Sequence, residues 1–155
     1  MSLKFRFSTK SYPLSISDGV PVVILLHGVY GSHWAWTMKG KAHETAQRLI
    51  DEGKIKPMIL VMPSDGLFGD GSAYVPHKTE NYEQWIVEDV IQVVKERIPQ
   101  ATDDSPIFIT GLSMGELFRM LFLLTCPDTF GRGVKTVKSA RFFKALLLTV
   151  MNLSP

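Results

Sequence analysis

A glycine-flanked serine between a predicted strand and a predicted helix constrains the fold more than any other part of this chain. The segment Gly111–Gly115 (GLSMG) follows the β-rich run Pro106–Thr110 and precedes the apolar stretch Leu117–Leu124, which contains no proline or glycine. A strand, a sharp turn and a helix in this order are the context of a nucleophile elbow. Because glycine has no side chain to collide with neighbouring backbone, Ser113 can project its hydroxyl from the sheet edge. The pattern therefore predicts a nucleophilic serine rather than a chance turn.

A second glycine-containing loop strengthens this interpretation. The buried-strand run Val22–Leu26 ends in His27, Gly28 and Val29. A loop of this kind after an early strand supplies one oxyanion N–H in α/β hydrolases, and the residue after the nucleophile supplies the other. The predicted donors are the backbone N–H groups of Val29 and Met114, the latter at a helix N-terminus. The His27 imidazole is expected to brace the loop.

These segments resemble the putative-esterase family of α/β hydrolases, the group that contains esterase D (S-formylglutathione hydrolase), feruloyl esterases and the antigen 85 mycolyltransferases. The resemblance covers about residues 20–130, in order and at matching spacing. Besides the two loops, the matching pieces are Trp36, Gly53–Pro63, Tyr82, the helix Val87–Ile98, and Cys126–Phe130.

The resemblance implies an α/β fold, namely the N-terminal part of an α/β-hydrolase domain with a mostly parallel sheet and flanking helices. Residues 1–155 would form a single partial domain, incomplete at the C-terminus. The resemblance also implies hydrolysis of carboxylic esters through an acyl-enzyme on Ser113, a small-molecule ester as substrate, and no cofactor. An acyltransferase on the same fold is the alternative reaction.

The acid and base that such a serine needs are not found in the expected order. No histidine follows Ser113, and the only downstream aspartate, Asp128, lies in a helix-end motif. The simplest interpretation is a truncated or divergent end. Of the upstream histidines, His77 in the long loop 64–81 is the best candidate for a relocated base, and no spacing among them indicates a metal site.

A second departure from the family follows the elbow directly, where Glu116 replaces the usual glycine. Its carboxylate suits the first turn of a helix, but a negative charge near the oxyanion position would oppose catalysis. The chain could therefore be a catalytically inactive fragment or a binding module of the same fold.

The net charge, the cysteine count and the lengths of the apolar runs limit the classes of partner that this chain can have. The net charge of +2 gives no reason to expect nucleic acid, and the single Cys126 excludes an intramolecular disulfide. No apolar run approaches the ~20 residues of a membrane span, and no signal-peptide core appears near the N-terminus. We expect a cytoplasmic protein without a membrane partner. If later strands of the family are missing, an open sheet edge could promote self-association.

The remaining pattern predicts the other elements. Strands are expected at 21–26, 58–62 and 106–110, with looser edge strands within 4–18, and helices at 42–52, 82–98 and 115–125. The tail after residue 131 fits either a strand plus a helix or one amphipathic helix. Trp34 and Trp36 could pack against the sheet or, with His77, line a pocket. Asp65 and Asp70 are interpreted as turn formers.

Overall fold

The computed structural model describes residues 19–65, 71–115, 117–118 and 134–136, and these contain a four-stranded parallel sheet. Its strands are β1 (Val22–Leu26), β2 (Ile59–Val61), β3 (Ile107–Gly111) and β4 (Val134–Thr136), in the spatial order β2-β1-β3-β4. The three strands predicted for this region are confirmed to within a residue or two at their ends. The described residues have the architecture of part of an α/β-hydrolase fold, as the resemblance implied.

The central strand β1 is buried on both faces, as its unbroken Val, Ile and Leu sequence predicts. Alternate side chains enter different cores. Val22, Ile24 and Leu26 pack into the larger core, whereas Val23 and Leu25 pack into a smaller one with Trp36. This alternation follows from the two-residue period of a strand, and it places apolar layers on both sides of the sheet.

Helices cover these two faces. Helix α1 (Ala42–Asp51) contributes Ala42, Ala46 and Leu49 to the smaller core, next to a short π-helical turn, Ala35–Lys39. The larger core is covered by three contiguous segments, namely α2 (Tyr82–Gln84), a π-helical stretch (Trp85–Val90) and α3 (Ile91–Arg97).

Sequence signals account for the bounds of these helices. Gly53 follows α1 with φ +67°, a left-handed conformation that glycine adopts easily. At the other helix, the Asn81 side chain accepts a hydrogen bond from the Gln84 N–H at 3.1 Å, which is an N-terminal cap. Both helices occupy the predicted positions.

The tail contributes a strand to the sheet. β4 pairs in parallel with β3, with Ile107 opposite Val134 and Ile109 opposite Thr136. β3 therefore has a neighbour on each side, and this part of the tail forms a strand rather than a helix. The predicted edge strands within 4–18, most of the helix predicted at 115–125, and the tail beyond 136 lie outside the described residues. Self-association through a sheet edge stays a prediction.

Candidate active site

The turn after β3 holds Ser113 in a strained and exposed position. Its φ is 51°, in the left-handed region that non-glycine residues rarely adopt, and its side chain is exposed. Three backbone hydrogen bonds fix the turn: Leu112 N–H to Leu26 O at 3.1 Å, Gly115 N–H to Leu112 O at 3.0 Å, and Leu117 N–H to Ser113 O at 3.0 Å. Strain of this kind persists where the surrounding structure over-determines it, which is common at active sites.

The two flanking glycines are required by close packing. A Cβ on Gly111 would lie 2.6 Å from the backbone carbon of Gly115, and a Cβ on Gly115 would lie 2.7 Å from Cβ of Leu26. Both distances are far below van der Waals contact. The beginning of the elbow helix therefore rests directly on the ends of β1 and β3, as a nucleophile elbow requires.

The loop after β1 lies against the same turn. A Cβ on Gly28 would be 3.2 Å from Cβ of Ser113, so the two backbones approach closely at this point. The Gly31 N–H donates to the Gly28 carbonyl oxygen at 3.0 Å and closes the loop. Among the described residues, the N–H groups of Val29 and Met114 make no hydrogen bond. Both predicted donors thus belong to segments that converge beside Ser113.

His27 braces this loop from inside the protein. Its side chain is buried, and its Nδ1 donates to the Gly28 carbonyl oxygen at 2.9 Å. Its backbone N–H donates to the Tyr74 hydroxyl at 3.2 Å, and that hydroxyl donates to the His27 carbonyl oxygen at 3.4 Å. The imidazole is therefore bonded to the loop from inside the protein, and among the described residues it makes no hydrogen bond to Ser113.

Asp65 is the site residue that sequence reasoning missed. The local pattern predicts a turn former, but the Asp65 side chain is buried, and its Oδ1 lies 3.5 Å from His27 Nε2. Its Oδ2 accepts hydrogen bonds from the Ser72 N–H at 3.0 Å and the Ser72 hydroxyl at 2.8 Å. The available signal was its position: Asp65 follows β2 closely, at the same edge of the sheet where β1 ends in His27.

The turn that contains Ser72 also contacts the elbow. Ala73 and Tyr74 both have positive φ, 52° and 56°, and the Ala73 N–H lies 3.1 Å from Met114 Sδ. Tyr74 is fully buried, and this burial, with a smaller contribution from the Asp65 carboxylate, raises the pKa of its hydroxyl well above the usual range. The Tyr74 hydroxyl is therefore a neutral hydrogen-bonding group.

The other histidines are not hydrogen-bonded to Ser113 in the described part of the chain. The exposed His77 donates from Nε2 to the Ser72 carbonyl oxygen at 2.8 Å and packs edge-on against Tyr82. His33 Nδ1 lies 2.9 Å from the Ser32 hydroxyl, and His43 lies on α1. No described histidine makes a hydrogen bond to Ser113, so the relocated base that the sequence suggested for His77 gains no support.

The two tryptophans near the loop differ in environment. Trp36 is 1% exposed and lies in the smaller core, so of the two alternatives it adopts packing against the sheet. Trp34 is partly exposed, with the Lys39 ammonium 5.3 Å from its ring centroid. Glu116 and Asp70 lie outside the described residues. Within the described part, no cluster of side chains could hold a metal ion, and no helix is long and apolar enough to cross a membrane.

Comparisons with known proteins identify the family of this chain. The family model described as "Putative esterase" matches residues 3–135. An endo-1,4-beta-xylanase/feruloyl esterase of Xylanibacter ruminicola is 31% identical over 115 residues, which is 72% of this chain and 15% of that protein. An uncharacterized protein of Corynebacterium glutamicum is 24% identical over 113 residues, covering 72% of this chain and 26% of its own length.

Solved structures show the same fold. A ferulic acid esterase superposes with a TM-score of 0.60 at 22% identity, covering 72% of this chain and 43% of its own. An S-formylglutathione hydrolase from Agrobacterium tumefaciens superposes with a TM-score of 0.54 at 21% identity, covering 76% of this chain and 46% of its own. The chain thus spans less than half the length of these two structures, and a smaller part of the two sequence relatives.

Proposed function

The chain belongs to the putative esterase family, and on this basis we propose that it carries the nucleophile and oxyanion segments of a serine hydrolase that acts on carboxylic esters. The observation that supports this most directly is the backbone of Ser113. An exposed serine at φ 51° is packed between glycines at the end of a buried parallel strand. Such a strained residue is stable only because the turn around it is fixed on both sides.

The proposed reaction begins with attack of the Ser113 hydroxyl oxygen on the ester carbonyl carbon. The new O–C bond forms while the carbonyl π electrons move onto oxygen, and the N–H groups of Val29 and Met114 stabilise that charge. Collapse of the intermediate breaks the bond to the alcohol, which leaves with the proton that the Ser113 hydroxyl has lost. Water then attacks the acyl-serine, releases the acid and restores the hydroxyl.

The proposal assigns no general base. The described histidines make no hydrogen bond to Ser113, and the sequence has no histidine after it. Removal of a triad base leaves roughly 10³–10⁴-fold acceleration over water from the oxyanion hole and binding. We therefore expect this chain to turn over an activated ester such as p-nitrophenyl acetate several orders of magnitude more slowly than an esterase with a complete triad.

Chemical labelling tests the nucleophile directly. A fluorophosphonate probe should modify the folded chain at Ser113, and the modification should be lost in Ser113→Ala. Ser105→Ala is a matched control, because it makes the same change just before β3, at the opposite end of the strand from the elbow. Folded protein that is not labelled, or that is labelled equally in Ser113→Ala, would refute the proposal.

The acyl group on Ser113 could be passed to water, as in a hydrolase, or to an alcohol. An acyltransferase would use the same acyl-serine but pass the acyl group to an alcohol. Product analysis with a competing alcohol separates the two reactions. Free acid as the main product supports the hydrolase, whereas an ester of the added alcohol, in excess over its share of the solvent, supports the transferase.

A further inference from the structure

The buried contact between His27 and Asp65 indicates which ring nitrogens of His27 carry a hydrogen. His27 Nδ1 lies 2.9 Å from the Gly28 carbonyl oxygen. Because a carbonyl oxygen can only accept a hydrogen bond, Nδ1 must carry a hydrogen. The second ring nitrogen, Nε2, is then a bare acceptor unless it carries a proton of its own.

Nε2 faces a carboxylate in a buried setting. It lies 3.5 Å from Asp65 Oδ1, with the two side chains 2% and 1% exposed. This distance suits an ion pair but is too long for a good hydrogen bond, and no other described group bonds to Nε2. Two acceptor lone pairs opposite each other in a low-dielectric site would repel, whereas a proton on Nε2 makes the contact a charge-assisted attraction.

The other carboxylate oxygen indicates where the proton resides. Oδ2 accepts two hydrogen bonds from Ser72, at 3.0 and 2.8 Å. Hydrogen bonds of this kind stabilise the charged form of a carboxyl group. We therefore propose that His27 carries protons on both ring nitrogens opposite an ionised Asp65, and that Asp65 is a positioning residue for the oxyanion segments. This inference rests on the proposed function.

Asp65 reaches both oxyanion segments through neighbours. On one side, the His27 imidazole that it faces holds the Gly28 carbonyl oxygen, next to Val29. On the other side, Asp65 fixes Ser72, and the following residue donates its N–H to Met114 Sδ at 3.1 Å. One buried carboxylate thus links the loop after β1 to the residue that follows the nucleophile.

Two described tyrosines lie near this pair. The Tyr74 hydroxyl bonds to the His27 backbone, and the Asp65 charge contributes to the raised pKa of Tyr82. Burial raises the pKa of both hydroxyls, with nearby carboxylates adding to the increase. Both tyrosines therefore stay neutral at physiological pH and add no charge of their own beside the pair.

Two substitutions at Asp65 compare a variant that can keep the hydrogen bonds of this residue with one that loses them. In Asp65→Asn, the amide oxygen can accept both Ser72 hydrogen bonds, and the amide N–H can donate to a neutral His27 Nε2. In Asp65→Ala, these buried groups lose their partner. Asp104→Asn is the control, because it makes the same change at an exposed turn.

The first readout is the rate at which the fluorophosphonate probe labels Ser113. We expect Asp65→Asn to stay within a few-fold of the unsubstituted chain, and Asp65→Ala to lose about 10²-fold, the lower end of the effect of removing one oxyanion donor. An Asn variant as slow as the Ala variant would overturn the inference, as would an Ala variant as fast as the unsubstituted chain.

The second readout is nitrogen-15 NMR of the His27 ring at neutral pH, with signals assigned by replacing His33, His43 and His77 in turn. Two protonated nitrogens are expected in the unsubstituted chain, and one, Nδ1, in Asp65→Asn. A bare Nε2 in the unsubstituted chain would overturn the inference. This measurement tests the protonation of His27 even if Asp65→Ala fails to fold. It also does so if Ser113 is not labelled and the proposed function itself fails.

Discussion

Replacing Gly111 by alanine should disrupt the elbow far more than the same change at a glycine outside the site. The new Cβ would lie 2.6 Å from the carbon and 2.8 Å from the Cα of Gly115. Carbon atoms pack best at about 3.5–4.0 Å, so the two segments must separate by about 1 Å. Because both clashing atoms belong to backbone, no side-chain rotation relieves them. We expect a cost near the upper end of overpacking, about 3 kcal/mol.

Gly53→Ala provides the matched control. Gly53 has φ +67°, but nothing lies within 4 Å of the place that a Cβ would occupy there. The cost at this position is only that of a left-handed alanine, about 1–2 kcal/mol. The comparison therefore separates a steric clash at the elbow from backbone strain at a helix end.

Thermal unfolding and probe labelling measure the two consequences. At about 2–4 °C per kcal/mol for a chain of this size, Gly111→Ala should lower Tm by roughly 6–12 °C. It should also slow labelling of Ser113, whereas Gly53→Ala should leave the labelling rate unchanged. If Gly111→Ala costs no more than Gly53→Ala, the close approach of β3 to the elbow helix is not tight, and the steric reasoning is wrong.

Three further predictions concern groups around the site and on the surface. Tyr74→Phe should cost about 1–3 kcal/mol in urea unfolding, because the buried N–H of His27 loses its acceptor, and an unchanged midpoint would contradict this. The Lys95 ammonium lowers the pKa of Asp103, so their ion pair favours folding above the pKa of an unfolded aspartate and is lost as pH falls through the folded pKa. The Tm values of Asp103→Asn and the unsubstituted chain should therefore converge in acid. His77→Ala should change labelling of the nucleophile by much less than the ~10²–10⁴-fold of a lost general base, because its Nε2 is bound to a backbone carbonyl. Equal loss of normal esterase turnover in His77→Ala and in the nucleophile variant would instead identify a relocated base.

Local patterns were enough to predict β1, β2, β3 and the sharp turn that follows β3. An unbroken apolar run such as Val22–Leu26 has few alternatives to a buried parallel strand, and GLSMG between a strand and a helix has few alternatives to an elbow. The tail was ambiguous because Val134–Thr136 forms a strand only through pairing with β3, a contact between residues distant in sequence.

Asp65 was missed for the same reason. Aspartate in a glycine-rich loop satisfies the local preference for a turn, and nothing within a few residues indicates burial. Its partners are His27, in another loop, and Ser72, across the undescribed residues 66–70. The environment of a buried carboxylate is decided by tertiary contacts, so the local pattern favoured the commoner role.

The register of the sheet explains why two short motifs carry most of the site. Leu26 pairs directly with Gly111, so the loop after β1 and the elbow after β3 leave the sheet side by side. The oxyanion donors proposed here are backbone N–H groups, whose positions depend on this register and not on the side chains of Val29 or Met114. β2 ends one strand further away from the elbow, and Asp65, which follows β2, faces the loop after β1 through His27. Any general base for Ser113 would have to approach from the exposed side of the elbow, because Leu26 packs against Gly115 and Gly28 packs against Ser113.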